Sequence, residues 1–229
     1  MPIGVERPLA GVLFDWDGTL IDSYDADSQA YLAMFQELGL GWGLKELELH
    51  YSPDWYSVYQ AAGIPKEHWE KADRLWREAY AKHPSKLVKG ARQVLRRLGR
   101  RHVLGLVTSG DRERVCRQLR EFNLTRTFRV QVCGGDTLEK KPHPAPLLKA
   151  LQEVGLEAGE CVYVGDTAED LEMARKVGMQ SIAVLGPFPT EARLRAAKPE
   201  FLLERLEILP EFLEKLDRGD GRKGRRPKR

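Results

Sequence analysis

The fold of this chain is decided by the stretch Leu9-Ala10-Gly11-Val12-Leu13-Phe14-Asp15-Trp16-Asp17-Gly18-Thr19, where an apolar run stands directly before two carboxylates. The run, residues 9–14, is typical of a buried strand. Asp15 and Asp17 follow its carboxyl end, and Gly18 permits the positive φ that a sharp reversal needs. Ligands of open α/β sheets bind beyond the carboxyl ends of the strands. Taken alone, the stretch indicates only an ordinary Asp-Gly turn.

Three further apolar runs also end in polar clusters. The clusters are Thr108-Ser109-Gly110 after residues 102–107, Lys140-Lys141-Pro142 after residues 128–133, and Gly165-Asp166-Thr167-Ala168-Glu169-Asp170 after residues 161–164. Four strand-like runs that each lead into polar side chains are not expected by chance. They predict a functional site that is assembled at strand ends.

Strand and helix patterns alternate along the chain after Ser109. Apolar residues at helical spacing predict helices, and two more apolar runs predict further strands. The predicted helices cover residues 90–99, 111–122, 144–154, 168–177 and 209–216, and the additional strands cover residues 179–185 and 199–203. This alternation predicts an α/β fold with a parallel sheet and right-handed crossovers. We assign residues 1–22 and 88–218 to this core domain.

Between these two parts of the core, residues 23–87 have a helical pattern throughout, with predicted helices at residues 26–38, 51–62 and 66–81. We interpret this segment as an inserted helical subdomain. It holds four of the five tryptophans and six of the seven tyrosines. Packing of a small bundle explains most of these rings, and others are expected to face the site. Candidates for contacting a substrate are Lys45, His50, Tyr51, Tyr56, Lys66, His68 and Arg74.

The composition is that of a globular protein. Of 229 residues, 42% are hydrophobic, which allows a sizeable core. The chain has no apolar run of the roughly eighteen residues that a transmembrane helix needs. Its first residues do not show the basic and apolar segments of a signal peptide. Three cysteines lack metal-ligand spacing, and two lie in strand-like runs. We therefore expect buried thiols and a cytoplasmic location.

The net charge of +3 is located mainly in the last residues of the chain. Residues 220–229 carry a charge of +5, which leaves −2 for the other 219 residues. Residues 219–229 contain no apolar residue to bury, so we predict a basic disordered tail. Such a tail can touch nucleic acid through unspecific electrostatics. A solvated appendage without a partner is the simpler interpretation, and we expect no membrane partner.

The order of the motifs, an acid pair, a hydroxyl, a lysine and a second acid pair, resembles the haloacid dehalogenase superfamily over residues 9–185. Members of this superfamily are mostly phosphotransferases. The resemblance implies a Rossmann-like parallel sheet with an inserted α-helical cap at residues 23–87. It also implies that the first strand lies between the second and the fourth, so that their motifs meet at one edge of the sheet.

The resemblance implies roles for the residues that match its motifs. Asp15 would accept the phosphoryl group as nucleophile, and Asp17 would serve as general acid and base. Lys141 would balance the charge on Asp15, with Lys140 as the rival for this role. The phosphoryl oxygens would be bound by the Thr108 hydroxyl, Lys141 and the backbone amides of Trp16, Ser109 and Gly110.

Carboxylates gathered in one pocket require a cation. Two unit charges about 4 Å apart repel by about 4 kcal/mol at an effective dielectric near 20. Mg²⁺ prefers oxygen ligands, and no cluster of histidine and cysteine indicates zinc. We expect His143, the histidine nearest a motif, on the loop surface. The resemblance implies that Mg²⁺ is bound by Asp15, the Asp17 backbone carbonyl and Asp166, with Asp170 holding it directly or through water.

These features favour a Mg²⁺-dependent phosphatase acting on a small phosphorylated metabolite. The Leu20-Ile21-Asp22-Ser23 continuation is similar to that of the phosphoglycolate phosphatase group. A sugar phosphomutase of the β-phosphoglucomutase type shares every core motif. A non-enzymatic relative that binds phosphate or a partner protein is a third hypothesis, and a nucleic-acid phosphatase steered by the tail is a fourth. Dehalogenases of the superfamily lack a counterpart of Asp17, which argues against dehalogenation. The sequence leaves the oligomeric state open.

Overall fold

A computed structural model describes residues 8–217 of the chain. Its centre is a six-stranded sheet in which every pair of neighbouring strands is parallel. The strands are β1 (Gly11–Phe14), β4 (Val103–Asp111), β5 (Val130–Gly134), β6 (Cys161–Gly165), β7 (Gln180–Val184) and β8 (Phe201–Leu203). They are arranged in the order β5-β4-β1-β6-β7-β8. The predicted α/β fold is confirmed.

The sheet buries β1 at its centre, between β4 and β6, as the sequence analysis predicted. All four residues of β1 are buried because helices cover both faces of the sheet. Successive side chains of a strand point to opposite faces. Accordingly, Val12 and Phe14 join one apolar cluster and Leu13 joins another. The run that ends at Phe14 thus carries Asp15 to the carboxyl edge of the sheet.

The flanking helices are α5 (Ala91–Leu98), α6 (Arg112–Glu121), α7 (Ala145–Val154), α8 (Ala168–Lys176), α9 (Glu191–Ala196) and α10 (Leu209–Asp217). Residues of α5, α6 and α10 share one cluster, and residues of α7 and α8 share the other. All of them except α9 were predicted. This helix has six residues and buries only Leu194, so its apolar pattern is too short to detect.

Two short strands, β2 (Ile21–Asp22) and β3 (Lys86–Leu87), pair antiparallel where the chain leaves the core and returns to it. Between them lie α1 (Tyr24–Glu37), α2 (Leu44–His50), α3 (Trp55–Ala61) and α4 (Trp69–Tyr80). We call residues 23–87 the helical insertion. It has its own apolar cluster, formed by Tyr31, Met34, Phe35, Leu47, Val58, Tyr59, Ala62, Ile64 and Ala72. The sequence analysis missed α2, which buries a single residue.

Within residues 8–217, no helix has the length and apolar character needed to cross a bilayer. The three cysteines are unpaired thiols, and Cys133 and Cys161 are buried in strands as predicted. The predicted basic tail, residues 219–229, lies outside the described residues. The division into core, helical insertion and tail stays a prediction.

Candidate active site

Four of the predicted site residues meet at the carboxyl edge of the sheet. The carboxylates of Asp15, Asp166 and Asp170 are buried, and one oxygen from each lies within 4.8 Å of the others. Asp15 follows β1, Asp166 follows β6, and Asp170 lies in the first turn of α8. Lys141 reaches the same point from the loop after β5. Parallel strands therefore bring together residues that are far apart in sequence.

Lys141 is the cation of this group. Its Nζ lies 2.7 Å from Asp15 Oδ1 and 2.8 Å from Asp170 Oδ1, and its side chain is 1% exposed. The two carboxylates raise the pKa of Lys141, although burial opposes them. Burial raises the pKa of Asp15 to about 7 in spite of Lys141, and Asp170 and Asp17 add to this increase. One lysine therefore does not balance the buried acids.

Lys140, the rival of Lys141, points to the helical insertion instead. Its Nζ lies 3.3 Å from the centre of the Trp55 ring and 3.8 Å from that of Tyr56. Asp54 Oδ1 lies 3.7 Å away. His143 is exposed, and its Nδ1 accepts a hydrogen bond from the Ala145 amide, as expected of a loop residue. Of these neighbours, only Lys141 reaches Asp15.

Asp170 organises the site through hydrogen bonds. Its Oδ2 accepts from the amide and the hydroxyl of Thr167, at 3.1 and 2.7 Å, as part of a capping box at the start of α8. Its Oδ1 accepts from Lys141 and lies 3.1 Å from the Tyr163 hydroxyl. Both oxygens are thus fully engaged by the protein. This arrangement favours an Asp170 that positions Lys141 over one that binds a metal directly.

Asp166 has a free oxygen that faces the turn at Gly18. Its Oδ1 accepts a hydrogen bond of 2.8 Å from Thr19, whereas its buried Oδ2 has no partner within residues 8–217. Burial and the charges of Asp15 and Asp170 raise its pKa well above the usual range. A Cβ on Gly18, whose φ is +78°, would collide with this carboxylate. An orphaned oxygen beside Asp15 fits a hard divalent cation such as Mg²⁺.

Thr108, Ser109 and Gly110 lie in the last part of β4, where its pairing with β5 shifts register between Val107 and Asp111. The prediction that the strand ends at Val107 was wrong, because this irregular end extends the strand. Thr108 is buried, and its Oγ1 accepts from the Gly110 amide at 3.0 Å. The buried Ser109 hydroxyl has no hydrogen-bond partner among the described residues. It can donate to an anion placed next to Asp15.

Asp17 is held by Arg114, a residue that the sequence analysis did not single out. The guanidinium lies 2.8 Å from Asp17 Oδ1 and 2.6 Å from Oδ2, and Ser23 donates a third hydrogen bond to Oδ1. These partners lower the pKa of Asp17 against the effect of its burial. Arg114 lies in the first turn of α6, also contacts Tyr80 of the helical insertion, and has a buried Nε without a partner in the described chain.

A cleft with an empty volume of about 790 Å³ lies between the strand ends and the helical insertion, and it is open to solvent. Asp15, Asp17 and Thr108 form its floor. Of the seven substrate-contact candidates, only Tyr51 lines this cleft. Residues of the helical insertion that were missed are Asp27 and Tyr31 of α1, Tyr59 of α3, and Asp73, Trp76 and Arg77 of α4. On α1 and α4 these residues are three or four positions apart, so they share one face of each helix, and this spacing is a signal by which the sequence could have shown them.

The family follows from a comparison with protein-family models. The model of haloacid dehalogenase-like hydrolases matches residues 12–184, which is more than half of the chain. The chain belongs to this family. It is therefore a hydrolase, and the predicted resemblance is confirmed. The match begins in β1 and ends in β7, so it contains every motif described above.

Named relatives agree with this membership. A phosphoglycolate phosphatase from Xanthomonas campestris pv. campestris is 36% identical over 76% of this chain and 82% of its own length. The pyrophosphatase PpaX of Bacillus cereus is 29% identical over 90% of this chain and 97% of its own length. The structure of CbbY from Rhodobacter sphaeroides in complex with phosphate covers 88% of this chain and 96% of its own, with a TM-score of 0.75 and 22% identity. The last likeness concerns the fold alone.

Proposed function

We propose that this haloacid dehalogenase-like hydrolase is a Mg²⁺-dependent phosphatase that acts on a small phosphorylated metabolite through an aspartyl-phosphate. The observation that carries the proposal is the buried Asp15 carboxylate, 2.7 Å from Lys141 and clustered with Asp166, whose Oδ2 has no hydrogen-bond partner among the described residues. It lies on the floor of the cleft between the strand ends and the helical insertion, a concave site of the kind that binds small ligands. Relatives named phosphoglycolate phosphatase and pyrophosphatase support phosphate as the transferred group.

The proposed reaction has two steps. A carboxylate oxygen of Asp15 attacks the phosphorus, and the ester oxygen leaves with a proton from Asp17. A water molecule then gives its proton to Asp17 and attacks the same phosphorus, which releases inorganic phosphate and restores Asp15. Lys141 offsets negative charge at Asp15, and Thr108 and Ser109 donate hydrogen bonds to the phosphoryl oxygens.

Mg²⁺ would be held by Asp15, the backbone carbonyl of Asp17 and Asp166, with Asp170 acting through Lys141 or through water. When bound, the ion supplies positive charge that reduces repulsion between the acids and the phosphate dianion. The residues fit such an ion, because burial and mutual repulsion raise the pKa values of Asp15 and Asp166 where no cation balances them.

Asp17 must leave Arg114 and take up a proton from solvent before it acts as a general acid. In the substrate-free protein the ion pair lowers the pKa of Asp17, which keeps the carboxylate ionised. We expect the pair to loosen when the substrate enters the cleft and Asp17 turns to the leaving oxygen. Arg114 then retains Tyr80 and Gln118 as hydrogen-bond partners, so its own position is preserved.

The test is phosphate release from p-nitrophenyl phosphate by the purified full chain, with Mg²⁺ and with a chelator. We expect turnover only with the metal, and a loss of at least about 10³-fold in kcat for Asp15→Asn. Asp25→Asn, an exposed change on α1, is the matched control and should retain activity. Release of phosphate without a bisphosphate primer distinguishes the phosphatase from a phosphomutase. Equal activity of Asp15→Asn and the control would contradict the proposal.

A further inference from the structure

The part of the cleft that faces the helical insertion has more acids than free cations. Asp27, Asp73 and Asp111 line it together with Arg77 and Arg114. In the substrate-free protein, Arg114 is paired with Asp17 by two short hydrogen bonds. Arg77, with a side chain that is 58% exposed, lies 3.9 Å from Asp111. The three acids thus outnumber the two arginines, of which Arg114 acts on Asp27 and Arg77 acts on Asp73 without forming an ion pair with either in the described chain.

Asp27 lies on α1 and faces the floor of the site. Within residues 8–217, its carboxylate has no hydrogen bond and no ion pair. Burial and the nearby Asp17 raise its pKa to about 8, and Arg114 opposes this increase. Asp73, on α4, accepts a hydrogen bond of 3.0 Å from the Tyr59 hydroxyl, and burial raises its pKa also, against the opposing charges of Arg77 and Lys140. Neither carboxyl is thus paired with a cation in the described chain.

Aromatic rings line the same cleft as these two acids. Those that line the cleft are Tyr31, Tyr51, Trp55, Tyr59, Trp76 and Phe188. The face of an aromatic ring attracts a cation, and desolvation strengthens this attraction. The helical insertion already binds one ammonium group in this way, because the Lys140 Nζ lies 3.3 Å from the centre of the Trp55 ring. Rings and unpaired carboxyls together form a lining that suits a positive charge.

We propose that the leaving group of the substrate carries a protonated amine, so that the substrate is the phosphate monoester of a small amino alcohol. This inference rests on the proposed phosphatase function and specifies its substrate class. The phosphoryl group would lie on Asp15, and the ammonium group would lie between Asp27, Asp73 and the rings. A leaving group with a carboxylate or a second phosphate would meet a lining in which acids outnumber cations, although relatives carry names that imply such substrates.

The experiment compares three esters that differ only in the terminal group: aminoethyl phosphate, hydroxyethyl phosphate and carboxymethyl phosphate. Phosphate release by the Mg²⁺-loaded full chain gives kcat/KM for each ester. We expect kcat/KM for aminoethyl phosphate to exceed that for hydroxyethyl phosphate by at least about 10-fold, because hydroxyethyl phosphate lacks the ionic contact. Carboxymethyl phosphate should be the slowest of the three.

Variants connect this preference to the cleft. Asp27→Asn and Asp73→Asn should each reduce the ratio of kcat/KM for aminoethyl phosphate to kcat/KM for hydroxyethyl phosphate. The change should arise mainly from a higher KM for aminoethyl phosphate. Asp25→Asn, two residues from Asp27 and exposed, should retain the ratio. Far-ultraviolet circular dichroism and p-nitrophenyl phosphate turnover verify that each variant is folded and active. An undiminished ratio in both cleft variants would overturn the proposal.

The outcomes also distinguish this inference from the function on which it rests. Faster hydrolysis of carboxymethyl phosphate than of hydroxyethyl phosphate would refute the ammonium site and leave the phosphatase intact. Equal rates for all three esters would refute it likewise. No release from any ester, including p-nitrophenyl phosphate, would refute the phosphatase and the substrate class with it.

Discussion

At the scale of single residues, the ion pair between Asp17 and Arg114 stabilises the fold and also holds the proposed general acid. Side chains of the pair are 20% and 9% exposed, so the pair is largely buried. Removing one partner of a buried pair leaves an uncompensated charge, which costs about 3–5 kcal/mol. We expect Arg114→Gln to lower the free energy of unfolding by about that amount in urea denaturation.

The controls for this prediction use the same helix. Arg117→Gln removes an exposed arginine whose ion pair with Glu121 spans 3.9 Å, and it should change stability by less than about 0.5 kcal/mol. The double variant Asp17→Asn/Arg114→Gln removes both charges and should recover part of the loss. If Arg114→Gln and Arg117→Gln had the same free energy of unfolding, the ion pair between Asp17 and Arg114 would not stabilise the fold.

Asp27 gives stability a defined pH dependence. Its pKa rises from 3.8 to about 8 on folding, so the folded protein holds this proton more tightly than the unfolded chain does. Stability therefore falls as pH rises from about 4 to about 8. Asp27→Asn removes this effect. In urea unfolding without metal, the free energy of unfolding of the variant should exceed that of the wild type by more at pH 8 than at pH 5. An advantage independent of pH would contradict the raised pKa.

At the scale of elements, the loop after β5 connects the core to the helical insertion. Lys140 of this loop lies over the rings of Trp55 and Tyr56 on α3. Such a cation–π contact contributes about 0.5–2 kcal/mol. We expect Lys140→Met to raise KM about 2- to 10-fold with a smaller effect on kcat, because it loosens the insertion over the cleft.

A matched control for this contact lies within the helical insertion itself. Lys66 lies over Trp69 at 5.8 Å, and both residues belong to the insertion. Lys66→Met removes a longer cation–π contact, to a single ring, without affecting the connection to the core. Steady-state kinetics on p-nitrophenyl phosphate should show an unchanged KM for this variant. The same KM for both variants would show that the Lys140 contact does not position the insertion.

The elements that the sequence predicted are longer helices with an apolar face and strands that are apolar on both faces. β1 and β6 read as continuous apolar runs because helices cover both faces of the sheet. The predicted ends of elements were less accurate. For example, β4 continues through Gly110 because its pairing with β5 shifts register there. α2 and α9 escaped prediction because each buries one residue, which leaves little periodicity to detect.

At the scale of the whole molecule, the sheet explains why part of the site was predictable. Asp15, Thr108 and Asp166 follow or end strands, and parallel strands carry such residues to one edge. Arg114 and Asp27 were not predicted, since their roles depend on which faces of α6 and α1 turn to the cleft. Spacing on α1 places Asp27 and Tyr31 on one face of the helix, but packing between the helical insertion and the core decides which way that face turns.

Metal binding should stabilise the whole molecule in a pH-dependent way. Protons compete with Mg²⁺ for the carboxyls, and the pKa of Asp15 lies near 7 without metal. A ligand at about 100 times its Kd stabilises a protein by about 2.7 kcal/mol. We expect the rise in Tm on adding Mg²⁺ to be larger at pH 8 than at pH 6, by calorimetry. Asp166→Asn should remove most of the rise, and a rise that persisted would place the metal elsewhere.

Trapping with beryllofluoride shows whether Asp15 can carry a phosphoryl group, because this anion mimics such a group on a carboxylate. Fluorine NMR of the full chain with Mg²⁺ should show a bound species that disappears in Asp15→Asn and on chelation. Asp25→Asn should give the same spectrum as the wild type. Absence of a bound species with Mg²⁺ present, or its persistence in Asp15→Asn, would contradict a phosphoryl group carried by Asp15.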